Sequence, residues 1–249
     1  MTIERFARSF GRVASLYDAA RPDYPAEAID RAAQGLGLRA EAEVVDLAAG
    51  TGKLTRRLVE RFASVVAVEP DERMRAVLEA TTPGAVVLDG TAEQTTLPDA
   101  CADAVFVADA FHWFAGEPAM AEIARVLRPG GGLVLLWNEW WNLEPGLPAP
   151  AREAFERVWE RTGRAQAQGD LDDWRKAFEG SPFEAPSETR IRWQLELPAE
   201  RVVALYLTPS GMASLPEEER DELRETLERA LSGTYRLPIE TQVDWTRLR

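Results

Sequence analysis

A doubly wound α/β domain on a mostly parallel sheet of seven strands is the fold class this sequence predicts. Three observations carry that expectation. Short apolar runs alternate with helix-period segments through residues 41–140. The runs are apolar at nearly every position, as in strands buried on both faces. Most of them stop at small or acidic residues, where the chain turns back toward a helix.

The elements follow in order. Glu43-Val44-Val45-Asp46-Leu47 reads as a first strand running into a small-residue turn. Lys53 to Phe62 places Leu54, Leu58 and Phe62 on one helical face. Val65 to Val68 is a second strand ending at Glu69-Pro70, and Asp71 to Ala80 a helix. Ala85 to Leu88 and Asp103 to Ala108 are strands three and four, with a helix from Met120 to Leu127. Arg128-Pro129-Gly130-Gly131-Gly132 reads as a break before a fifth strand, Leu133 to Trp137. Alternating residues from Arg190 to Leu197, and the stretch Glu240 to Leu248, supply two more strands; Glu217 to Leu231 is a charged amphipathic helix. The expected organisation is an N-terminal helical lid (1–40), a core (41–140), and a helical insert plus C-terminal strands (141–249).

Composition narrows the function. Forty-two acidic and 29 basic residues give a net charge of −13. Such a surface repels nucleic-acid phosphates, and Arg56, Arg57 and Arg61 read as a solvated helix face, so no nucleic-acid partner is expected. One His and one Cys cannot make a zinc-type ligand set, and no metal is expected. No apolar run reaches the roughly 18 residues of a membrane span, and no leader is read at the front. A lone Cys101, unable to form an internal disulfide, fits a cytoplasmic protein, expected as monomer or homodimer without membrane partners.

Ligands of such sheets bind beyond the carboxyl ends of the strands. After the first strand stands Asp46-Leu47-Ala48-Ala49-Gly50-Thr51-Gly52. Small residues let a ligand approach the backbone. A phosphate loop would need Gly at 47 and a hydroxyl residue at 54, but both positions hold Leu. A dinucleotide fingerprint would need Gly at 55, where Thr stands. Alone, such a turn also serves any strand-to-helix connection. Glu69, at the end of the second strand, is suited to accept hydrogen bonds from two ribose hydroxyls, or to cap the next helix.

With these residues in view, the sequence resembles the class I S-adenosylmethionine-dependent methyltransferases. Asp46 to Gly52 is similar to that family's first motif, and Glu69 to its ribose acid. Gly90-Thr91-Ala92-Glu93 resembles the segment after the third strand. Ala108 to Phe114 and Arg125 to Gly131 resemble the type 11 and trans-aconitate methyltransferase-like branch, as does Phe10 to Pro25. Ala48 stands where the family has its first Gly, a replacement that fits if φ there is below zero.

The resemblance implies S-adenosyl-L-methionine as cofactor and the Rossmann-like methyltransferase fold. Implied cofactor contacts are Asp46, Ala48, Ala49, Gly50, Thr51, Gly52, Glu69, Pro70, Met74, Thr91, Ala92, Glu93 and Ala108, with Tyr17 and Arg21 from the lid. Asp109 and His112 are the catalytic candidates, His112 as a base or as a pocket-wall residue that orients Trp113. Tyr24, Trp113, Asn138 and Trp140, with Trp141 and Asn142, are the acceptor-side candidates. The implied reaction is in-line transfer of the sulfonium methyl to a small-molecule acceptor, with reacting atoms roughly 3–3.5 Å apart. An NAD-dependent oxidoreductase and a non-catalytic S-adenosylmethionine-binding protein are the competing readings.

Overall fold

A computed structural model describes residues 14–140, 146–162 and 173–249. The chain forms two compact units that cut across the expected three-segment division. The first comprises Met1–Pro22, Glu139–Asp172 and Arg192–Glu240; the second comprises Asp23–Asn138, Asp173–Ile191 and Thr241–Arg249. The reason is that residues far apart in sequence share one core. Trp174 and Phe183 are buried with Val45, Val105 and Leu135 in the second unit.

The strands are β1 (Glu43–Leu47), β2 (Ser64–Val68), β3 (Val86–Leu88), β4 (Ala102–Ala108), β5 (Leu127–Glu139), β6 (Ser187–Pro198) and β7 (Thr234–Arg247). They form one seven-stranded sheet in the order β3-β2-β1-β4-β5-β7-β6. The pairs from β3 through β5 are all parallel. The doubly wound, mostly parallel expectation holds.

In the second unit the helices are α2 (Ala26–Leu36), α3 (Lys53–Arg61), α4 (Glu72–Thr81) and α5 (Glu117–Val126). Leu54, Leu58 and Phe62 are buried as their spacing requires. Asp71 caps α4 by accepting from the N–H groups of Arg73 and Met74. Residues 128–132 fall within the bounds of β5, but its pairing is interrupted there as expected: Ala102 pairs with Leu127 and Ala104 with Gly132. Gly132 is there for packing, since a Cβ on it would fall 2.3 Å from Leu36 Cδ1, whereas Gly130 has open space around it and a φ of 76°. The arginines of α3 lie on a solvated face, as expected, and have partners there. Arg57 pairs with Glu60 and Asp23, Arg61 with Asp30, and Arg56 donates to the Thr51 carbonyl.

The first unit holds α1 (Ala14–Ala20), α6 (Ala149–Arg161), α7 (Ala199–Tyr206), α8 (Ser210–Ala213) and α9 (Glu217–Ala230). Its core gathers Trp140, Leu205, Tyr206, Leu223 and Leu227. Among the described residues no helix is long and apolar enough to cross a membrane.

Candidate active site

The turn after β1 is built from left-handed backbone. Ala48, Gly50 and Gly52 have φ of 57°, 58° and 85°. This corrects the expectation for Ala48, which was that φ there lies below zero. For an L-residue with a Cβ that conformation costs on the order of 1–2 kcal/mol. The surrounding bonds hold it: Ala49 N–H donates to the Val68 carbonyl, and Gly52 N–H to the Ala49 carbonyl. Ala48→Gly is therefore expected to leave stability unchanged or raise it by up to about 1 kcal/mol, the relief offsetting glycine's chain entropy. Ala48→Val is expected to lose about 1–2 kcal/mol. Denaturant midpoints of the two variants check this; equal midpoints would contradict the left-handed turn. At Gly50 an added Cβ would meet nothing within 4 Å, so the turn is open where a ligand would approach. Thr51 Oγ1 is buried and has no partner among the described residues.

Two carboxylates lie beneath this turn. Asp46 is 1% exposed and accepts a 2.6 Å hydrogen bond from Thr55 Oγ1. Burial pushes its carboxyl up to about 7, against the Thr55 hydrogen bond and with the help of the Glu69 charge. Thr55, which from sequence registers only as a missing glycine, is thus the residue that steadies Asp46. Glu69 is buried too. Its Oε2 accepts from Gly50 N–H and its Oε1 from Asp71 N–H, both at 2.9 Å. Burial raises its carboxyl as well, opposed by those two backbone hydrogen bonds. Each oxygen keeps a further lone pair for a ligand hydroxyl. Two buried carboxyls strained toward neutrality form a site that favours a cation.

The third-strand turn is closed on itself, with Thr91 and Gln94 exchanging backbone hydrogen bonds. Ala92 is buried, while Thr91 and Glu93 are exposed. Glu122 pins the turn by accepting from Thr95 N–H and Oγ1. Arg125 in turn holds Glu122 down at about 2. Pro70 is exposed and Met74 is buried under α4.

At the ends of β4 and β5, Asp109 also has left-handed backbone, φ 50°. Its Oδ2 accepts from Tyr24 Oη at 2.7 Å and its Oδ1 from Asn138 N–H at 3.1 Å. Ala108, half-buried, precedes it. His112 sits in the 3₁₀ turn Phe111–Trp113. Its ring lies 4.6 Å from Trp113 and stacks on Trp137 at 5.4 Å. Trp137 stacks in turn on Trp174 at 5.5 Å, and Arg175 covers the Trp174 face. From sequence Trp137 registers only as the end of the fifth strand, and Trp174 not at all. No local spacing marks them, because the stack joins residues from three separate stretches of chain.

Tyr17, Arg21 and Trp140 belong to the first unit. There Arg21 donates to Thr208 Oγ1 at 2.8 Å and lies over the rings of Tyr17 and Trp140. Trp140 is buried edge-on against Tyr206. Trp141 and Asn142 lie outside the described residues. A cavity of about 340 Å³ opens at the amino ends of the strands, lined by residues such as Arg39, Asp103, Arg128 and Arg247. It is the wrong edge for the Asp46–Glu69 chemistry, and its arginines are largely spent: Arg128 pairs with Glu43 and Asp103, and Arg247 donates to carbonyls.

Residues 45–135 match a family described as a methyltransferase domain. An uncharacterized methyltransferase-like protein of Schizosaccharomyces pombe is 31% identical over 228 residues, covering 91% of this chain and 87% of that one. An uncharacterized methyltransferase of Mycobacterium tuberculosis is 53% identical over 130 residues, 52% of each chain. The chain thus matches about half the length of that relative. Among solved structures, a protein assigned as a type II methyltransferase from Anaeromyxobacter dehalogenans has a TM-score of 0.59 at 22% identity, covering 92% and 98% of the two chains. A Haemonchus contortus N-methyltransferase, solved with S-adenosylhomocysteine, has a TM-score of 0.53 at 13% identity, covering 99% of this chain and 60% of that one. At such identities the structural likeness is one of fold.

Proposed function

This chain belongs to the class I methyltransferase family, and from that premise we propose that it moves a methyl group from S-adenosylmethionine to a small-molecule acceptor. The observation that carries the reading is the open left-handed turn at Gly50 with Asp46 and Glu69 buried beneath it. The residues present fit a cationic donor. Asp46 would offset its positive charge, Glu69 has lone pairs left that would take ribose hydroxyls, and Gly50 would leave room for it. The donor supplies a sulfonium methyl that is already electrophilic. The acceptor's lone pair displaces the sulfur from the opposite side, so one bond to carbon forms as the carbon–sulfur bond breaks.

The chain's own task is to orient and to exclude water. The stacked rings of His112, Trp113 and Trp137 support an acceptor with an apolar body. His112 is the base available to an acceptor that must lose a proton. The net charge of −13 supports a small molecule over a nucleic acid.

Calorimetric titration tests the reading. S-adenosylhomocysteine is expected to bind and NADH to show no heat. The reverse result would overturn the assignment in favour of a dehydrogenase.

A further inference from the structure

Four hydrogen bonds at the strand ends join into a single relay. Thr241 of β7 is completely buried, and its Oγ1 donates to Asn138 Oδ1 at 2.6 Å. That donor fixes the orientation of the Asn138 amide, because only the oxygen can face a hydroxyl proton. The amide nitrogen is thereby turned to the Asp23 carbonyl, 3.3 Å away. The backbone N–H of Asn138 donates to Asp109, whose other oxygen accepts from Tyr24 Oη. On its far side the Asp23 carboxylate pairs with Lys53 Nζ at 3.1 Å, one residue beyond Gly52. The dipeptide Asp23-Tyr24 is thus strapped across the carboxyl ends of β1, β4 and β5.

We propose that Thr241 is a positioning residue, which acts through Asn138 to hold the Asp23-Tyr24 strap over the cofactor end of the sheet. Asp109 has the same role from the other side. Both of its oxygens take protons from the strap and from β5, an arrangement that suits a brace. The inference rests on the methyl-transfer reading for its affinity readout alone. Its structural content is independent of that reading.

The test compares Thr241→Val and Thr241→Ser in the full chain. Valine keeps the shape and removes the donor; serine keeps the donor. Thr241→Val is expected to weaken S-adenosylhomocysteine binding by roughly fivefold, the scale of one hydrogen bond, at temperatures well below its Tm. Thr241→Ser is expected to restore it. In the ligand-free protein, Thr241→Val is expected to speed amide exchange at residues 23–24, and Thr241→Ser to leave it unchanged. Tyr24→Phe breaks the same relay elsewhere, so its effect and that of Thr241→Val are expected to fall short of additive. A Thr241→Val protein with native affinity and native exchange overturns the proposal, as does full additivity or failure of serine to rescue. Should Thr241→Val not fold, the Thr241→Ser and Tyr24→Phe proteins decide: slowed or unchanged exchange in Tyr24→Phe overturns it. If the parent chain itself binds no S-adenosylhomocysteine, the methyl-transfer reading falls, and the exchange rates still judge the relay.

Discussion

Asp46→Asn is expected to flatten the fall in stability that the parent protein shows between about pH 4 and 7. The sign follows from the buried carboxyl. In the unfolded chain it ionises near its ordinary value of 3.8; in the fold, burial holds it protonated to about 7. Between those values the folded state carries the extra proton, so each rise in pH favours unfolding. The difference corresponds to about 4 kcal/mol, complete by about pH 7. Asparagine still accepts from Thr55 and has no charge to lose. Chemical denaturation of both proteins at several pH values measures it, and parallel profiles would refute the burial argument. A ligand ammonium placed beside Asp46 would reverse the sense. Binding beside Asp46 ionises it and releases a proton, so affinity for S-adenosylhomocysteine is expected to rise with pH toward 7 in the parent and to lose that slope in Asp46→Asn.

Glu69→Ala has the other large effect. On the proposed reading it removes the acceptor for ribose hydroxyls, each such bond to a charged group being worth about 1.5–3 kcal/mol. S-adenosylhomocysteine affinity is expected to drop on the order of tenfold or more. The structure adds a second route to the loss, because Glu69 also holds the N–H groups of Gly50 and Asp71. Glu69→Gln keeps one acceptor oxygen for that backbone and is expected to fall between the two. Titration calorimetry reads all three. Native affinity in a folded Glu69→Ala protein sinks the ribose assignment.

The parts of this fold that were legible in the sequence are those whose physics is local. β1, β2 and β4 are largely buried, so each shows as a nearly continuous apolar run. Leu54, Leu58 and Phe62 show as a stripe because α3 buries one face. Asp46 and Glu69 were findable because each closes a strand. What was not legible depends on distant chain. Thr241 meets Asn138 across 103 positions, and a threonine in a strand carries no mark of such a partner. Trp174 gives no periodic signal because it lies in a 3₁₀ turn, and its stacking partner Trp137 is in β5. The helices α7 and α8 go unread between a proline and a run of small residues, where tertiary burial of Val202, Leu205 and Met212 decides the conformation. The glycines of 128–132 carry two meanings that sequence does not separate: Gly130 takes a left-handed turn where the ladder to β4 shifts, and Gly132 makes room for Leu36.

The position of β7 has a kinetic consequence. It is the last strand in chain order, yet it is an interior strand of the sheet, between β5 and β6. While residues 234–247 are still to be placed, β5 and β6 each present an open row of backbone donors and acceptors. Sheet closure is then a late, non-local event whose loop entropy precedes any gain in contacts. During synthesis the nascent chain carries the open edges of β5 and β6 until β7 has emerged. That interval, more than any weakness of the finished structure, is when the molecule is most open to pairing with its neighbours.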